Sequence, residues 1–488
     1  MSEKILDPRE RSWAKVHVIC VFFLFLYFMV QPVNTYLWES IRGTYYYAVV
    51  PVLIAFCLYF RRLKDVVEIK LLILFALWYF ISRFLNGMQT VINDFSGVLN
   101  FPLYFVFAVV GFLLTPEKRM KYLIWLGAFI TFYFTVLGLI SIYTAIYRLD
   151  LVNPITEGVL CSFSSQGFSR LNLFDANPNT SAMWFFVGFS PALVLFFACK
   201  KKLWRIPIVL AALVNYLGLA LTYSRNTMIA FSCCIAMLAV LIVLNRFPLR
   251  KLWVRTLAIV LILAVFVPAV YKSFELSTDI LSKVSASVLS KAAVEAEAET
   301  TAAAEAEPAA ESAAAAETEP DTSALFEDSR DLSTLRLRLL VFKTAFITIQ
   351  REPIRLIRGC AGSDVMSVSH QAISRKFPTM HNSYLEVMVL TGLPGLALVI
   401  AFSVLLVIRM IRVFFSTDPR LSLAVKVLTL PLAGIFLYSM MEAQIFFNTE
   451  FSALFFYLLA GVLLAYSYEV FPPKKNGKAE AAGTSSGL

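Results

Sequence analysis

Three segments of this sequence carry residue types that could together bind an anionic group and move a proton. His381 lies in PTMHNSYLEV, directly before a long apolar run, and only three histidines occur in the chain. Histidine can take up and return a proton near neutral pH, which suits a general base. Arg225 lies in LALTYSRNTMIAF, between two apolar runs, and Arg336 and Arg338 lie in LSTLRLRLLVF. Guanidinium groups bind phosphate through bidentate hydrogen bonds and stay charged, so they can stabilise a diphosphate leaving group without a metal.

Each of these residues also has an interpretation without chemistry. Arg225 fits an interfacial side chain whose charged end reaches water from the end of an apolar helix. Arg336 and Arg338 are two residues apart, so they lie on different faces of a helix and only one of them is expected to enter a site. A charged helix face can equally contact lipid headgroups. His381 also fits an ordinary polar residue of the membrane interface, so it does not decide the question alone.

The composition of the chain is that of an α-helical membrane protein. Of its 488 residues, 59% are hydrophobic and only 16% are charged, and the mean hydropathy is +0.73. The apolar residues form blocks of roughly 17 to 25, the length that an α-helix needs to cross a bilayer. These blocks lack the alternation of a membrane β-barrel. The net charge of +10 comes from short Lys and Arg clusters between the blocks, which argues against a nucleic-acid surface, and the seven cysteines lack metal-binding spacing.

The apolar blocks predict an all-α, polytopic membrane protein with about twelve transmembrane helices. The candidate spans lie near residues 14–33, 44–60, 69–85, 98–114, 121–147, 180–199, 206–222, 227–245, 256–271, 384–408, 422–441 and 450–468. With the N-terminus in the cytoplasm, every predicted cytoplasmic segment is basic, and the short outer loops contain almost no Lys or Arg. The positive-inside rule therefore predicts an inner-membrane protein with both termini in the cytoplasm. Cys161 and Cys360 then fall in outer loops, and the sequence leaves their pairing open.

The predicted organisation has four parts. Residues 1–271 hold transmembrane helices 1–9, residues 272–383 form a large extracytoplasmic loop between helices 9 and 10, residues 384–470 hold helices 10–12, and residues 471–488 form a cytoplasmic tail. Within the loop, 293–322 is nearly all Ala, Glu, Thr and Pro, which cannot build a core, so a disordered or loosely helical insert is predicted. The stretch 332–383 begins with apolar residues at helical spacing and ends near His381, and it is predicted to be the catalytic part.

Four motifs resemble those of a known family of membrane proteins. The segment HNSYLEVMVLTGLPG, from His381 to Gly395, resembles the His-Asn-x-Tyr-Leu-Glu…Gly-x-x-Gly signature of the O-antigen ligase and O-antigen polymerase superfamily. The segment LTYSRN looks like the Thr-x-Ser-Arg turn of that family, and Arg338 with Phe342 looks like its loop arginine followed by an aromatic residue. Asn179 closes an Asn-Pro-Asn segment that is similar to the family's approach to a helix. The resemblance covers most of the chain, because the span count and the large late loop agree with it.

The resemblance implies a membrane glycosyltransferase that works without a metal or another cofactor. Such enzymes move a glycan from a polyprenyl-diphosphate carrier, here undecaprenyl diphosphate, to a hydroxyl of a glycan, lipid or protein acceptor, with inversion at the sugar. It implies catalytic roles for three residues, His381 as the base with Arg338 and Arg225 on the diphosphate. It also implies substrate contacts by Arg336, Asn382, Tyr384, Glu386 and Asn179.

Other functions fit parts of the same pattern. A transporter or flippase for an anion or lipid-linked glycan would also present arginines on the outer side, although the predicted spans are nearly without charge at mid-membrane and the sequence has no internal repeat. A membrane scaffold would not require His381 and Asn382 at the interface. Within the enzyme class, the sequence does not separate a polymerase from a ligase, nor does it identify the sugar or the acceptor.

Overall fold

The structure, a computed structural model, describes most but not all of the chain. It describes residues 8–30, 63, 65–88, 104–105, 107–149, 151–152, 159–162, 170–174, 178–247, 252–304, 333–350, 352–360, 380–443, 445–447 and 451–472. The predicted span at 44–60, most of the acidic insert and nearly all of the C-terminal tail lie outside these ranges. The described residues are mostly helical, as predicted.

Thirteen helices of the described ranges can be assigned with defined bounds. They are α1 (Pro8–Val30), α2 (Val67–Leu85), α3 (Pro116–Tyr147), α4 (Pro178–Ala198), α5 (Arg205–Leu221), α6 (Arg225–Arg246), α7 (Leu252–Ala304), α8 (Ser333–Gln350), α9 (Arg355–Arg358), α10 (Ser383–Phe414), α11 (Leu423–Val427), α12 (Thr429–Ser439) and α13 (Phe451–Val470). A 3₁₀ turn, Lys202–Trp204, precedes α5.

Seven helices in the described part are long and apolar enough to cross a membrane. They are α3, α4, α5 with its preceding 3₁₀ turn, α6, α7, α10 and α13. Their length and composition support an integral membrane protein. The count of about twelve spans and the placement of the large loop between the ninth and tenth remain predictions, because several predicted spans lie partly or wholly outside the described residues.

Helix α13 forms the centre of the bundle. The apolar window that could cross the membrane is completely buried, whereas the corresponding window of α7 is not buried at all. A Cβ on Gly461 of α13 would meet the backbone of Ala108, and one on Gly111 would meet the backbone of Gly461. Small residues of this kind let two membrane helices touch backbone to backbone, where dispersion contacts are densest.

Helix α10 is sharply bent rather than straight. Gly392 has φ 71° and ψ −172°, which no helical residue adopts. The Tyr384 hydroxyl donates to Ser403 Oγ at 3.0 Å, although a straight helix would separate these residues by about 28 Å. The span predicted at 384–408 is therefore two helical segments that fold back on each other at Gly392. Only glycine reaches this conformation at low cost, so the bend follows from the Gly-x-x-Gly motif.

Side chains at the end of α2 hold this bend in place. Ser82 Oγ donates to Arg358 O at 2.5 Å, and Asn86 Nδ2 donates to the same carbonyl at 3.2 Å. Arg83, which is completely buried, donates to Leu390 O and, at 3.0 Å, to Cys360 O. These bonds satisfy carbonyls that the bend and the loop after α9 leave outside regular structure.

A small antiparallel sheet, which the sequence did not predict, lies between α3 and α4. Its strands are β1 (Leu151–Val152), β2 (Val159–Ser162) and β3 (Asn172–Leu173), in the order β1-β2-β3. Leu171 N donates to Leu221 O at 3.1 Å, which attaches the start of β3 to the end of α5. The all-α class therefore holds for the bundle, and the sheet is a local addition beside the α5–α6 turn.

Helix α7 passes through a predicted boundary. It has 53 residues and a length of about 80 Å, more than twice the hydrocarbon thickness of a bilayer. It continues past residue 271, after which the large loop was predicted to begin, and it includes the first residues of the acidic insert. The Tyr216 hydroxyl of α5 is hydrogen-bonded to Ser273 and Ser277 of α7, and Ser285 Oγ of α7 donates to Ile146 O of α3. Helix α7 is therefore attached to α5 and α3 as far along the chain as Ser285.

Candidate functional site

The α5–α6 connection is a turn of three residues, Thr222, Tyr223 and Ser224. Thr222 Oγ1 donates to Leu219 O at 2.7 Å, and Tyr223 has a left-handed φ of 50°. Such a backbone is uncommon for a tyrosine and clusters at functional sites in proteins. Arg225 follows as the first residue of α6, and its side chain is exposed. A cation and a helix N-terminus at one place both favour bound anions.

Glu442, which follows α12, is the hub of a polar network at this turn. One carboxylate oxygen, Oε1, accepts from Asn179 Nδ2 at 2.9 Å and from Asn226 Nδ2 at 3.4 Å. Asn179 Oδ1 in turn accepts from Ser224 Oγ at 2.8 Å, and Ser224 Oγ lies 3.0 Å from Thr227 Oγ1. The Glu442 side chain is only 10% exposed. The carboxylate is therefore fixed by residues of α4 and α6.

His381 completes this network. Its Nδ1 lies 2.9 Å from Glu442 Oε2, and its side chain is 21% exposed. A carboxylate can only accept, so in the neutral imidazole this bond places the proton on Nδ1 and the basic lone pair on Nε2. His381 also has a left-handed φ of 50°, the same feature as Tyr223 on the facing turn. Both positions therefore hold a backbone conformation that costs energy and that clusters at functional sites in proteins.

The segment around His381 is attached to the loop that carries Glu442. Asn382 Nδ2 donates to Met440 O at 2.7 Å, and Ser383 Oγ donates to Glu442 O at 3.2 Å. Ser383 Oγ also accepts from Ile445 N at 3.2 Å. Asn382 Oδ1 caps α10 by accepting from the backbone N–H groups of residues 384 and 385. The predicted substrate contact by Asn382 therefore competes with a structural role for the same amide.

Tyr384 and Glu386, the other two predicted substrate contacts in the segment that begins at His381, lie within α10. The Tyr384 hydroxyl is bonded to Ser403, on the second segment of the folded helix. Glu386 Oε2 is buried and has no hydrogen-bond partner among the residues that the structure describes. Neither side chain contacts His381 or Glu442 in the contacts described. Their roles in binding substrate stay predictions.

Arg336 and Arg338 lie near the start of α8, and their side chains are outside the described part of the structure. The rest of α8 is informative. Val341, Ala345 and Ile349 are buried at helical spacing in a cluster with Met380 and Met388. Because Met380 directly precedes His381, α8 packs beside the histidine. This helix carries the amphipathic pattern that the sequence predicted, and the choice between the two arginines remains open.

Two residues of the site were not identified from the sequence. In the sequence, Glu442 stands out only as a carboxylate at the end of an apolar run. No sequence pattern associates it with His381. Arg170 lies in the long loop before α4 and had no signal. Its Nη2 donates to Tyr223 O at 2.5 Å. Burial and the charge of Arg225 lower the pKa of the Arg170 guanidinium.

The described residues contain no group of three or more His, Cys, Asp or Glu side chains arranged to hold a metal ion. The arrangement can instead do two things. His381 with Glu442 can accept a proton, and Arg225 beside the N-terminus of α6 can bind an anion. Residues from α4, α6, the segment before α10 and the segment after α12 meet to form it.

A comparison with protein families gives one match, which covers part of the site. Residues 208–400 match the family model described as O-antigen ligase. This segment is similar to the O-antigen ligase family. This confirms the resemblance to the O-antigen ligase and polymerase superfamily and, together with the apolar helices, supports a membrane glycosyltransferase. The matched residues include Arg225 and His381 but not Asn179, Arg170 or Glu442. None of the curated proteins compared with the chain matches it.

Proposed function

We propose that this protein transfers a glycan from a polyprenyl-diphosphate carrier to a hydroxyl group of an acceptor, with inversion at the sugar and without a metal. The observation that carries this proposal is the His381–Glu442 pair, held by Asn179 within one hydrogen-bond network of the Ser224–Arg225 turn. It combines a proton acceptor and an anion-binding cation in an O-antigen ligase domain.

In the proposed reaction, Nε2 of His381 removes the proton of the acceptor hydroxyl. The acceptor oxygen attacks the anomeric carbon from the side opposite the diphosphate, so a new C–O bond forms while the bond to the carrier breaks. Glu442 keeps the imidazole in the required tautomer and stabilises the imidazolium that forms, as the carboxylate does in a catalytic triad. The bond electrons leave with the carrier diphosphate.

Arg225 and Arg338 are proposed to stabilise the charge that develops on the leaving diphosphate. Arg225 is exposed at the N-terminus of α6, a helix of 22 residues whose dipole acts in the same direction. Arg338 lies on α8, which packs against the residue before His381. Arg336 is the alternative on the same helix. Asn179 is proposed to orient Glu442 as well as to contact substrate.

The proposed location is the inner membrane, with both termini in the cytoplasm and the site on the outer side. The distribution of Lys and Arg supports this orientation, because the clusters alternate with loops that are almost without them. A carrier lipid embedded in the bilayer would present its diphosphate at the membrane surface. Arg225 would lie at the same level, beside the turn between the apolar helices α5 and α6. The acceptor is a glycan end, a lipid or a protein hydroxyl.

The test is glycan transfer by the full chain in vesicles that contain a radiolabelled polyprenyl-diphosphate-linked glycan and an acceptor. We expect a new glycosidic bond and release of the carrier diphosphate. His381→Ala, Arg225→Ala and Arg338→Ala should each lower turnover by on the order of a hundredfold or more, and the exposed control Lys291→Gln should not. Movement of the donor across the bilayer without its consumption would contradict the proposal and indicate a flippase. Normal activity in all three variants would overturn the residue assignment.

A further inference from the structure

Arg170 is fixed against the turn that carries Arg225. Its Nη2 donates to the carbonyl of Tyr223 at 2.5 Å, and the next residue, Leu171, donates its N–H to Leu221 O at 3.1 Å. Leu171 is completely buried, so this attachment is part of the packed structure. The guanidinium of Arg170 is therefore held two residues away from Arg225 along the backbone of the turn.

The bond to Tyr223 leaves part of this guanidinium unsatisfied. Arg170 Nε is buried, and it has no hydrogen-bond partner among the described residues. A buried donor without a partner is costly, and the cost is larger on a charged group, so a ligand that supplies an acceptor would be stabilised there. Nε and one N–H of Nη2 form the edge of arginine that binds the two oxygens of a phosphate, and Nη2 has a second N–H for the Tyr223 carbonyl. The unsatisfied atom therefore fits an anionic ligand.

The placement of the two arginines supports the same ligand. The charge of Arg225 acts on Arg170 strongly enough to lower its pKa, an effect second only to burial. Two guanidiniums that repel each other in this way raise the free energy of the folded site, and an anion that contacts both removes the repulsion. A diphosphate carries two phosphates and enough charge to bind both groups at once.

We propose that Arg170 is a second ligand of the donor diphosphate, with one phosphate on Arg225 and the other on Arg170. This inference rests on the proposed function and adds a residue to its site. Arg170 lies outside residues 208–400, which match the family model, so the proposal adds a residue from before that segment to the binding site. A role in binding the diphosphate differs from a purely structural role, in which Arg170 would only hold the Tyr223 carbonyl.

The experiment measures lipid binding by the full chain in nanodiscs. The two probes are a polyprenyl diphosphate and the corresponding polyprenyl monophosphate, both without glycan. Arg170→Gln removes the charge, and Arg170→Lys keeps one charged donor for the Tyr223 carbonyl but removes the bidentate edge. Lys291→Gln removes an exposed positive charge from α7 and serves as the matched control. Melting temperatures of all variants report on folding.

We expect both Arg170 variants to bind the diphosphate about tenfold to a hundredfold more weakly than the parent, with a change of less than about threefold for the monophosphate. Arg170→Lys should keep the melting temperature of the parent. If Arg170→Lys binds the diphosphate as the parent does, the arginine is only structural and the inference is wrong, while the proposed function stands. If the parent itself does not distinguish the diphosphate from the monophosphate, the donor class is wrong and the inference falls with it.

Discussion

The chemistry of His381 depends on the residue that faces its Nδ1. Histidine alone offers either nitrogen to a substrate, and the 2.9 Å contact with Glu442 selects one tautomer. The carboxylate is in turn fixed by the amide groups of Asn179 and Asn226. The pair is therefore held in place by the protein itself, and such preorganisation is how an electrostatic contribution to catalysis becomes large.

The first prediction concerns Glu442. Glu442→Gln keeps the size of the side chain and an oxygen for Asn179, but it removes the negative charge beside the imidazole. We expect kcat for transfer to fall by on the order of a hundredfold or more. Without the carboxylate, the tautomer of the imidazole is no longer fixed and the imidazolium that forms is no longer stabilised. The KM for donor should change little, since the proposed ligands of the diphosphate are arginines and not this residue.

The control for this prediction is Glu275→Gln, which removes an exposed carboxylate of α7. Both variants should melt within a few degrees of the parent. Unchanged kcat in Glu442→Gln would show that the contact with His381 has no part in the reaction.

The sequence allowed a partial prediction at this scale. His381, Arg225 and Asn179 could be singled out because each lies beside an apolar run in a motif that resembles a known family. Glu442 and Arg170 could not, because their significance comes from contacts with residues that are distant along the chain. The bond between Asn179 and Glu442 joins positions 263 residues apart, and no local pattern encodes that distance.

At the scale of elements, the bend at Gly392 decides where His381 lies. It folds the first segment of α10 back on the second, and the end of α2 holds the bent backbone through Ser82 and Arg83. The sequence predicted an apolar helix here because periodicity and length indicate a span. It could not predict the reversal, since a glycine inside an apolar run is common in membrane helices.

The second prediction concerns Gly392→Ala. A Cβ at this position would meet the backbone of Ile357 and would occupy a left-handed conformation that costs about 1–3 kcal/mol. We expect a lower melting temperature and a loss of transfer activity, because the His381 segment shifts relative to Glu442. Thermal unfolding in detergent and the transfer assay measure the two effects.

Gly87→Ala is a control that separates the backbone strain of a left-handed φ from the steric overlap of an added Cβ. Gly87 also has a left-handed φ, 103°, but a Cβ there would meet no atom within 4 Å. Gly87→Ala should therefore lower stability less than Gly392→Ala and leave transfer activity nearly intact. Equal effects of the two substitutions would indicate that the close approach at Gly392 has no importance for the site.

At the scale of the whole molecule, a buried central helix connects elements that are far apart in sequence. Helix α13 is the last described helix, and it packs by close glycine contacts against a segment near residue 108. The sequence predicted the membrane class securely, because repeated apolar blocks of this length are typical of membrane-spanning helices and rare in water-soluble proteins. It did not predict the order of packing, since apolar helices of similar composition offer many arrangements of nearly equal energy.

The third prediction concerns the acidic insert. Residues 293–322 are nearly all Ala, Glu, Thr and Pro, and Val294 near the start of this region is exposed on α7. Deleting 293–322 should leave the melting temperature and the transfer rate close to those of the parent, because the insert cannot contribute apolar contacts to a core. Loss of activity in a well-expressed and folded deletion variant would contradict this.

The central claim is that binding of the carrier diphosphate and transfer of the proton are carried out by different residues of one site, Arg225 and His381. The most direct test measures donor binding and glycan transfer on the same nanodisc preparations of the parent, His381→Ala and Arg225→Ala. We predict that His381→Ala binds the polyprenyl-diphosphate-linked donor within about threefold of the parent but transfers on the order of a hundredfold or more slowly. Arg225→Ala should lose affinity as well as rate. Transfer by His381→Ala at the rate of the parent would contradict the central claim.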